Sequence, residues 1–350
     1  MITLRMILSQ LKKDLIGKDV YRGTTQTYTL LANQFGHFSL GFIPTAIIYS
    51  YIQYGSHHRE QVHWPWIAVA AFWTFFELFH LQHAVVGHRK RAHRQHGTSL
   101  QPFPFQPAWG NIRLDTFTDI GFFCAGTLLA GYLFLHNPWL WWIFLGVFLF
   151  VQCLFFYWYK TKMYLQEANF PFHFRLSQWV LHIHPDNAAH IQQFLSGPDK
   201  GCHLLVLGDD VQEKASLCVG IATELAFRQR SCQYLTAMKL LPLFGQQDPD
   251  SHHSLEQQSL WNWRQSSVLI IDDINPAQPM HSEGLTAAAF LHHINHQEFE
   301  GLNKESLRNK NVIWVLGSCK ATQEQAEWQT MLEGLGISQK QISTVYLRKD

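Results

Sequence analysis

The sequence has few charged residues, few cysteines and no internal repeats. Lys, Arg, Asp and Glu make up 15% of the 350 residues and leave a net charge of +1. The six cysteines are scattered and form no C-x-x-C pair, which argues against a zinc knuckle and favours reduced thiols. We expect no cleavable signal peptide, because Lys12, Lys13 and Asp14 interrupt the run Met1–Val20.

The charges are unevenly distributed between two parts of the chain. Residues 1–196 carry 14 Lys and Arg against 8 Asp and Glu, whereas residues 197–350 carry 13 against 18. Nucleic-acid binding requires Lys and Arg against phosphates, so the acidic second part argues against a nucleic-acid partner. The first part is rich in Phe and Trp, and the second is mixed like an ordinary soluble domain. Two domains are therefore expected.

Four apolar segments predict a helical membrane domain over residues 31–160. A transmembrane helix needs about 20 apolar residues, and Trp and Tyr cluster at the segment ends as they do at membrane interfaces. Residues 1–30 predict a cytoplasmic amphipathic lead-in. A buried helical core in a soluble protein is the alternative, and the length of the runs argues against it. The predicted spans are Phe35–Tyr54, Pro65–Val86, Phe117–Leu135 and Pro138–Tyr159.

Lys and Arg predict the orientation of these four spans. The N-terminal arm, the connection Arg89–Arg94 and the chain after Tyr159 are basic, whereas the connection Gly55–His63 contains only Arg59. Positive segments stay on the cytoplasmic side of a membrane. We therefore expect a multi-pass protein of the inner (cytoplasmic) membrane with both termini and the second domain in the cytoplasm. Membrane lipid is then one of its partners.

Ionisable residues within the predicted spans indicate an intramembrane polar cluster, since such residues are costly in lipid. The candidate metal ligands are Glu77, His80 and Asp119, and His37 lies early in the first span. A structural network between helices, a proton or ligand site and a metal site all remain open. The pattern resembles small VanZ-like membrane domains, which implies a polar cluster within the membrane. The matching residues are His37, Gly41, Glu77, Arg113, Asp115, Asp119 and Gly121.

Residues 161–200 predict a connector, and residues 201–350 predict an α/β domain with a mostly parallel five-stranded sheet. Strand and helix patterns alternate after Gly201, and the short apolar strands indicate burial on both faces. The predicted strands are His203–Leu207, Cys232–Thr236, Ser267–Ile271, Val312–Leu316 and Ser343–Leu347. The predicted helices are Ala215–Arg230, Ala237–Leu243, Leu255–Gln265, Gly284–His296 and Gln323–Leu335.

The turn after the first of these strands has the spacing of a phosphate loop, G-x-x-x-x-G-K-[ST]. Gly208 and Lys214 occupy the first glycine and the lysine, but Glu213 and Ala215 replace the second glycine and the hydroxyl that binds magnesium. A phosphate loop works because backbone amides at a helix N-terminus point at the anion and glycines allow its close approach. Carboxylates at residues 209, 210 and 213 would repel a triphosphate.

The run Leu204–Leu241, followed by VLIIDDI at Val268–Ile274, resembles AAA+ ATPases of the helicase-loader and transposition-helper (DnaC/IstB) group. The resemblance covers roughly residues 200–347. It implies a phosphate-loop fold that binds ATP or ADP and acts as an oligomer. The nucleotide-binding residues that it implies are Gly208, Lys214 and the sensor Ser318, and the catalytic residues are Asp272 and Asp273.

The losses in the phosphate loop favour a non-catalytic role for the second domain. The expected function is a membrane-anchored pseudo-ATPase that acts as a scaffold or regulatory subunit of a larger membrane assembly, through other protein subunits or self-association. Two alternatives remain. One is a nucleotide-binding switch or ATPase at the membrane, and the other is a membrane enzyme or transporter subunit that uses the intramembrane Glu, His and Asp residues.

Overall fold

A computed structural model describes most of the chain as two compact units. Among the described residues, one unit comprises residues 2–94 and 109–162, and the other comprises residues 163–347. We call them the helical unit and the α/β unit. The described residues are 2–16, 26–55, 62–94, 109–176, 179, 184–197, 201–208, 210–247, 260–274, 285–317 and 321–347.

The helical unit consists of long helices. Its first helix, α1, contains the predicted amphipathic sequence, with Ile7 buried and Leu4 exposed. The last residues of α5 already belong to the α/β unit. The bounds are α1 Leu4–Ile16, α2 Gln26–Gly55, α3 Trp64–Arg94, α4 Trp109–Leu135 and α5 Pro138–Glu167.

Within the described residues, three helices are long and apolar enough to cross a membrane. They are Trp64–Gly87 of α3, Trp109–Leu135 and Pro138–Glu167, and they cover the second, third and fourth predicted spans. The first predicted span lies within α2, a helix of 30 residues that is not among the three. Polar and small side chains, including His37 and Thr45, interrupt its apolar sequence.

Two glycines allow α2 and α4 to pack with their backbones in contact. A Cβ atom on Gly126 would lie 2.1 Å from the carbonyl oxygen of Phe38, and a Cβ on Gly41 would lie 2.2 Å from that of Phe123. No larger residue fits at either position without moving a helix. Small residues at such crossings are typical of helix pairs in membranes. The two contacts fix the register of α2 against α4.

Pro44 interrupts the hydrogen bonding of α2, and α3 supplies the missing donor. A proline in a helix has no N–H to give to the carbonyl four residues earlier, which here belongs to Leu40. The indole Nε1–H of Trp73 donates to that Leu40 oxygen at 2.9 Å. The proline therefore creates an acceptor that ties α3 to α2.

The α/β unit contains a fully parallel sheet, as the alternating pattern predicts. Within the described residues it has five strands in the order β2-β3-β4-β1-β5. Each strand lies within one residue of its predicted position at either end. The bounds are β1 His203–Gly208, β2 Cys232–Thr236, β3 Val268–Asp272, β4 Asn311–Val315 and β5 Ile342–Leu347.

Helices cover both faces of this sheet. Alternate side chains of β1, β3 and β4 form one core with Phe290, Trp328 and Leu332 from helices that follow β3 and β4. The residues between them, such as Val206 and Ile270, are buried on the opposite face, where α7 lies. The helices are α6 Pro185–Ser196, α7 Val211–Phe227, α8 Ala237–Leu240, α9 Ala287–Asn295, α10 Glu300–Arg308 and α11 Ala321–Gly334, with a 3-10 turn at Leu241–Gly245.

Three features of the α/β unit differ from the sequence prediction. The helix α7 begins at Val211, four residues before the predicted start, and α10 was not predicted. The predicted helix Leu255–Gln265 is wrong over its described part, which forms turns from Leu260 onwards. There the side chain of Asn262 accepts the N–H groups of Arg264 and Gln265, so that it competes with helical bonding. Residues 255–259 lie outside the described ranges.

The predicted connector contains a helix that is part of the α/β unit. The side-chain amide of Asn187, in α6, donates to the backbone carbonyl oxygen of Tyr346 at 2.7 Å and accepts the backbone N–H of Tyr346 at 3.3 Å. These two bonds occupy backbone groups of β5 that a neighbouring strand would otherwise bind at the free edge of the sheet. The edge strand is thereby covered.

Candidate functional site

The carboxyl ends of β1 and β4 form the point at which the connections of the sheet diverge. The strand β1 leads into α7 on one face, whereas β4 leads into α11, whose Trp328 belongs to the core on the other face. In open α/β sheets, ligands bind in the crevice that such a divergence leaves. The predicted nucleotide residues Gly208 and Lys214 lie at this edge.

The N-terminus of α7 is closed by its own capping residue. The carboxylate Oδ1 of Asp210 accepts the N–H groups of Gln212 and Glu213 at 2.9 and 3.1 Å. Amides of a first helical turn are the groups that a phosphate loop offers to the anion. Here a side-chain carboxylate binds them, and it carries the charge that a phosphate would bring.

Lys214 is buried within the unit, with 2% of its surface exposed. Its Nζ donates to the backbone oxygen of Leu316 at 2.5 Å, just beyond the end of β4. A buried ammonium needs such partners because its desolvation is costly. The side chain that should reach a phosphate thus bridges α7 and the end of β4.

Gly208 is required by packing rather than by the conformation of its backbone. Among the described glycines, positive φ angles occur at Gly201 and Gly336 and not at Gly208. A Cβ on Gly208 would lie 2.8 Å from the backbone oxygen of Leu347 on β5. The close approach of β5 therefore explains this glycine without a phosphate.

The two acidic residues after β3 differ in environment. Asp272 is buried, accepts the hydroxyl of Tyr234 and accepts the N–H of Asp273 at 2.7 Å. Burial and the neighbouring Asp272 carboxylate raise the pKa of Tyr234. Asp273 is an exposed residue with φ at 53°. The pKa of its carboxyl is raised by partial burial and by the neighbouring Asp272 carboxylate, whereas the Lys214 ammonium lowers it. The structure thus brings Lys214 near the acidic pair. Ser318 lies outside the described residues.

A second polar cluster lies in the helical unit, where three helices meet. His37 of α2, Glu77 of α3 and Asp119 of α4 each offer a ligand atom within 4.8 Å of the others. The Nε2 of His37 is 3.4 Å from Oδ1 of Asp119. Gln34, one turn before His37, donates its amide Nε2–H to the same oxygen at 3.3 Å. All four residues lie within the membrane domain that the sequence predicts over residues 31–160, and we call them the intramembrane cluster.

Of the residues predicted as candidate metal ligands, the structure brings Glu77 and Asp119 together with His37 and leaves His80 apart. His80 is exposed and packs its ring against Phe76 at 4.3 Å between centroids, outside the set of converging atoms. Gln34 was missed, because a neutral amide gives no charge signal. Its spacing of three residues before His37 places both side chains on one face of α2, which is the only sequence signal for it.

No protein-family model matches the chain, and a search of characterised proteins yields no significant match.

Proposed function

We propose that the chain is a membrane-anchored scaffold or regulatory subunit whose α/β unit is a degenerate, AAA+-like pseudo-ATPase. The observation that carries this proposal is the buried ammonium of Lys214, which donates to the Leu316 oxygen in the crevice at the carboxyl edge of the sheet. A nucleotide would have to break that bond and uncap α7 before its phosphates found a donor. Both steps oppose binding.

The remaining features of the site support the same conclusion. Hydrolysis needs a carboxylate that is free to hold magnesium or orient water. The Asp272 carboxylate instead accepts two hydrogen bonds from its own unit. The hydroxyl that binds magnesium in a phosphate loop is replaced by Ala215. What the fold retains is a rigid platform whose surface is available for protein partners, while the helical unit anchors it in the membrane.

A nucleotide titration separates this proposal from the switch or ATPase alternative. The full chain, purified in detergent, would be titrated with a fluorescent ATP analogue and with ADP in the presence of Mg²⁺. We expect no saturable binding up to millimolar concentrations. Lys214→Ala should lower the unfolding free energy of the α/β unit by about 1–3 kcal/mol, because the buried Leu316 oxygen loses its donor.

The control is Lys239→Ala, which removes an exposed lysine from α8. It should change neither binding nor stability. Micromolar ATP binding that Lys214→Ala abolishes and Lys239→Ala preserves would contradict the pseudo-ATPase and establish the switch.

The scaffold itself is tested by the mass of the protein extracted from native membranes. We expect a complex of defined stoichiometry, either with copies of this chain or with other subunits, and chemical cross-links from the α/β unit to that partner. A monodisperse monomer in mild detergent with no cross-linked partner would contradict a scaffold, whatever the nucleotide titration shows.

A further inference from the structure

We propose that the intramembrane cluster binds one divalent transition-metal ion through His37, Glu77 and Asp119, with the amide oxygen of Gln34 as a fourth ligand. The proposal is independent of the scaffold role, because it concerns other residues in the other unit. The four side chains come from α2, α3 and α4, so the ion would join three helices.

The separations between the ligand atoms suit a small cation. Metal–ligand bonds of about 2.1 Å in a tetrahedral site place neighbouring ligand atoms roughly 3.4 Å apart. His37 Nε2 and Asp119 Oδ1 are 3.4 Å apart, and Gln34 Nε2 is 3.3 Å from the same carboxylate oxygen. No pair among His37, Glu77 and Asp119 exceeds 4.8 Å, so side-chain rotations that move an atom by about 1 Å complete the set.

An unsatisfied amide oxygen at the cluster points to a ligand. Gln34 is 4% exposed, and its Oε1 has no hydrogen-bond partner within the described part of the chain. The oxygen and nitrogen of an amide differ only by a rotation of 180°, and the hydrogen-bond network decides between them. With an ion present, the rotated amide turns Oε1 toward the metal. The buried oxygen then gains the metal as a partner, and the amide nitrogen gives up its bond to Asp119 and takes the former position of the oxygen.

Packing one turn away from each ligand holds the three helices in position. Gly41 follows His37, Phe123 follows Asp119, and Trp73 precedes Glu77, each by four residues and hence on the same helix face. The Phe123 ring stacks on Trp73 at 4.6 Å and meets the His37 ring edge-on at 4.8 Å. In α2 and α4 the packing residue lies four residues after the ligand, whereas in α3 it lies four residues before. The helix α3 therefore runs antiparallel to α2 and α4. A rigid aromatic layer therefore supports the ligand layer.

The ligand set selects the class of ion. One imidazole with carboxylate and amide oxygens suits Zn²⁺, Mn²⁺ or Fe²⁺ and disfavours soft ions that prefer sulfur. The cation also offsets the two carboxylates, whose charges are otherwise costly among apolar helices. The side chains of His37 and Asp119 remain 18% and 12% exposed, so the helices do not fully enclose these two ligands.

Metal content of defined variants tests the proposal. The chain would be purified with a tag that contains no histidine, stripped with a chelator, and incubated separately with Zn²⁺, Mn²⁺ and Fe²⁺ under anaerobic conditions. Bound metal would be measured by mass spectrometry, and Co²⁺ substitution would report the coordination geometry by its visible absorption. We expect one tightly bound ion per chain, and loss of affinity by roughly tenfold or more in Asp119→Asn and His37→Gln.

Two histidine variants are matched controls. His80→Gln alters an exposed histidine one turn from Glu77, and His292→Gln alters a surface pair with His296, whose rings lie 3.9 Å apart. Both should keep the ion. The ion should also raise the unfolding temperature of the wild type and of both controls, but not that of Asp119→Asn. An unfolding transition of Asp119→Asn in the absence of metal shows that this variant folds. A wild type that retains none of the three ions, or an Asp119→Asn variant that binds them equally well, would overturn the proposal.

Discussion

Lys310 places a charge in the core of the α/β unit. It is 3% exposed, its Nζ donates to the backbone oxygen of Trp263, and it lies 5.1 Å from the centroid of the Trp263 ring. Burial, together with the nearby Arg264 guanidinium, lowers the pKa of Lys310 from 10.5 to about 7. The unfolded chain therefore binds one more proton than the folded chain between these two pH values.

This difference predicts that the unit becomes more stable as the pH rises from about 7 toward 10.5. Stability increases with pH wherever the unfolded state holds more protons. Relative to Lys310→Met, the wild type should gain about 1.4 kcal/mol per pH unit across this window, the slope of one proton. The measurement is the urea concentration at which the buried thiols of Cys218 and Cys232 react with a maleimide, read by peptide mass spectrometry on the full chain.

The comparison of variants at each pH cancels the pH dependence of the reagent and of other groups. Lys239→Met, at an exposed position of α8, is the control and should follow the wild type. Parallel pH profiles for the wild type and Lys310→Met would show that the buried lysine does not contribute this proton.

The residues of the intramembrane cluster show what a sequence reveals at this scale. Charge in an apolar segment identified Glu77 and Asp119, because such residues are rare without a partner. The choice between His37 and His80 depends on how the helices are rotated about their axes. For α2 and α4 that rotation is set by the contacts of Gly41 and Gly126 with the facing backbones, and for α3 by the packing of Trp73 on Phe123; each of these contacts involves two helices at once. No spacing within one helix contains that information.

Pro44 and Trp73 form a unit at the scale of helices. Trp73→Phe removes the donor to the Leu40 oxygen, and we expect it to cost about 1 kcal/mol of unfolding free energy through that bond. Pro44→Ala restores the N–H that serves Leu40 within α2. The cost of Trp73→Phe should therefore be smaller in the Pro44→Ala background.

The double-mutant cycle would be measured by unfolding of the detergent-solubilised chain in sodium dodecyl sulfate. Loss of the stacking between Trp73 and Phe123 occurs in both backgrounds and cancels. Trp139→Phe alters an indole that is 74% exposed and should show no coupling to Pro44. Equal costs of Trp73→Phe with and without Pro44 would mean that the bond to Leu40 stabilises nothing.

The strands of the α/β unit can be predicted from the sequence, whereas the start of a helix such as α7 is harder to locate. Short apolar runs bounded by polar residues leave few alternatives for a buried parallel strand. The predicted start of α7, at Ala215, is wrong because it rests on the spacing of a phosphate loop over Gly208–Ala215. Asp210 followed three residues later by Glu213 is itself the signature of a helix start, and it correctly indicates Val211. Local capping chemistry was the better guide there.

At the scale of the whole chain, the number of spans decides on which side the N-terminus lies. Three helices meet the length and apolarity of a span, and α2 is the fourth in the sequence prediction. Two candidate spans, α4 and α5, separate the connection Arg89–Arg94 from the α/β unit, so a three-span and a four-span topology both predict that these two segments share one side. The basic arm before α2 joins them on that side only if α2 also crosses. Positive segments favour the cytoplasmic side, which supports four spans.

The structure of the cluster strengthens this expectation. His37 of α2 lies at the same level as Glu77 and Asp119, which belong to two of the candidate spans. An α2 outside the membrane would remove two residues of that cluster, Gln34 and His37, from the bilayer. The charge pattern and the cluster are independent arguments for the same topology.

Cysteine labelling of intact cells tests it. In a chain whose native cysteines are replaced, Ser9→Cys lies in α1 and His63→Cys lies just before α3, both at exposed positions. With four spans, a membrane-impermeant maleimide should label His63→Cys in intact cells and Ser9→Cys only after permeabilisation. With three spans, both positions lie outside and both are labelled in intact cells. Labelling of Ser9→Cys before permeabilisation would therefore remove α2 from the set of spans, and it would also place His37 outside the membrane.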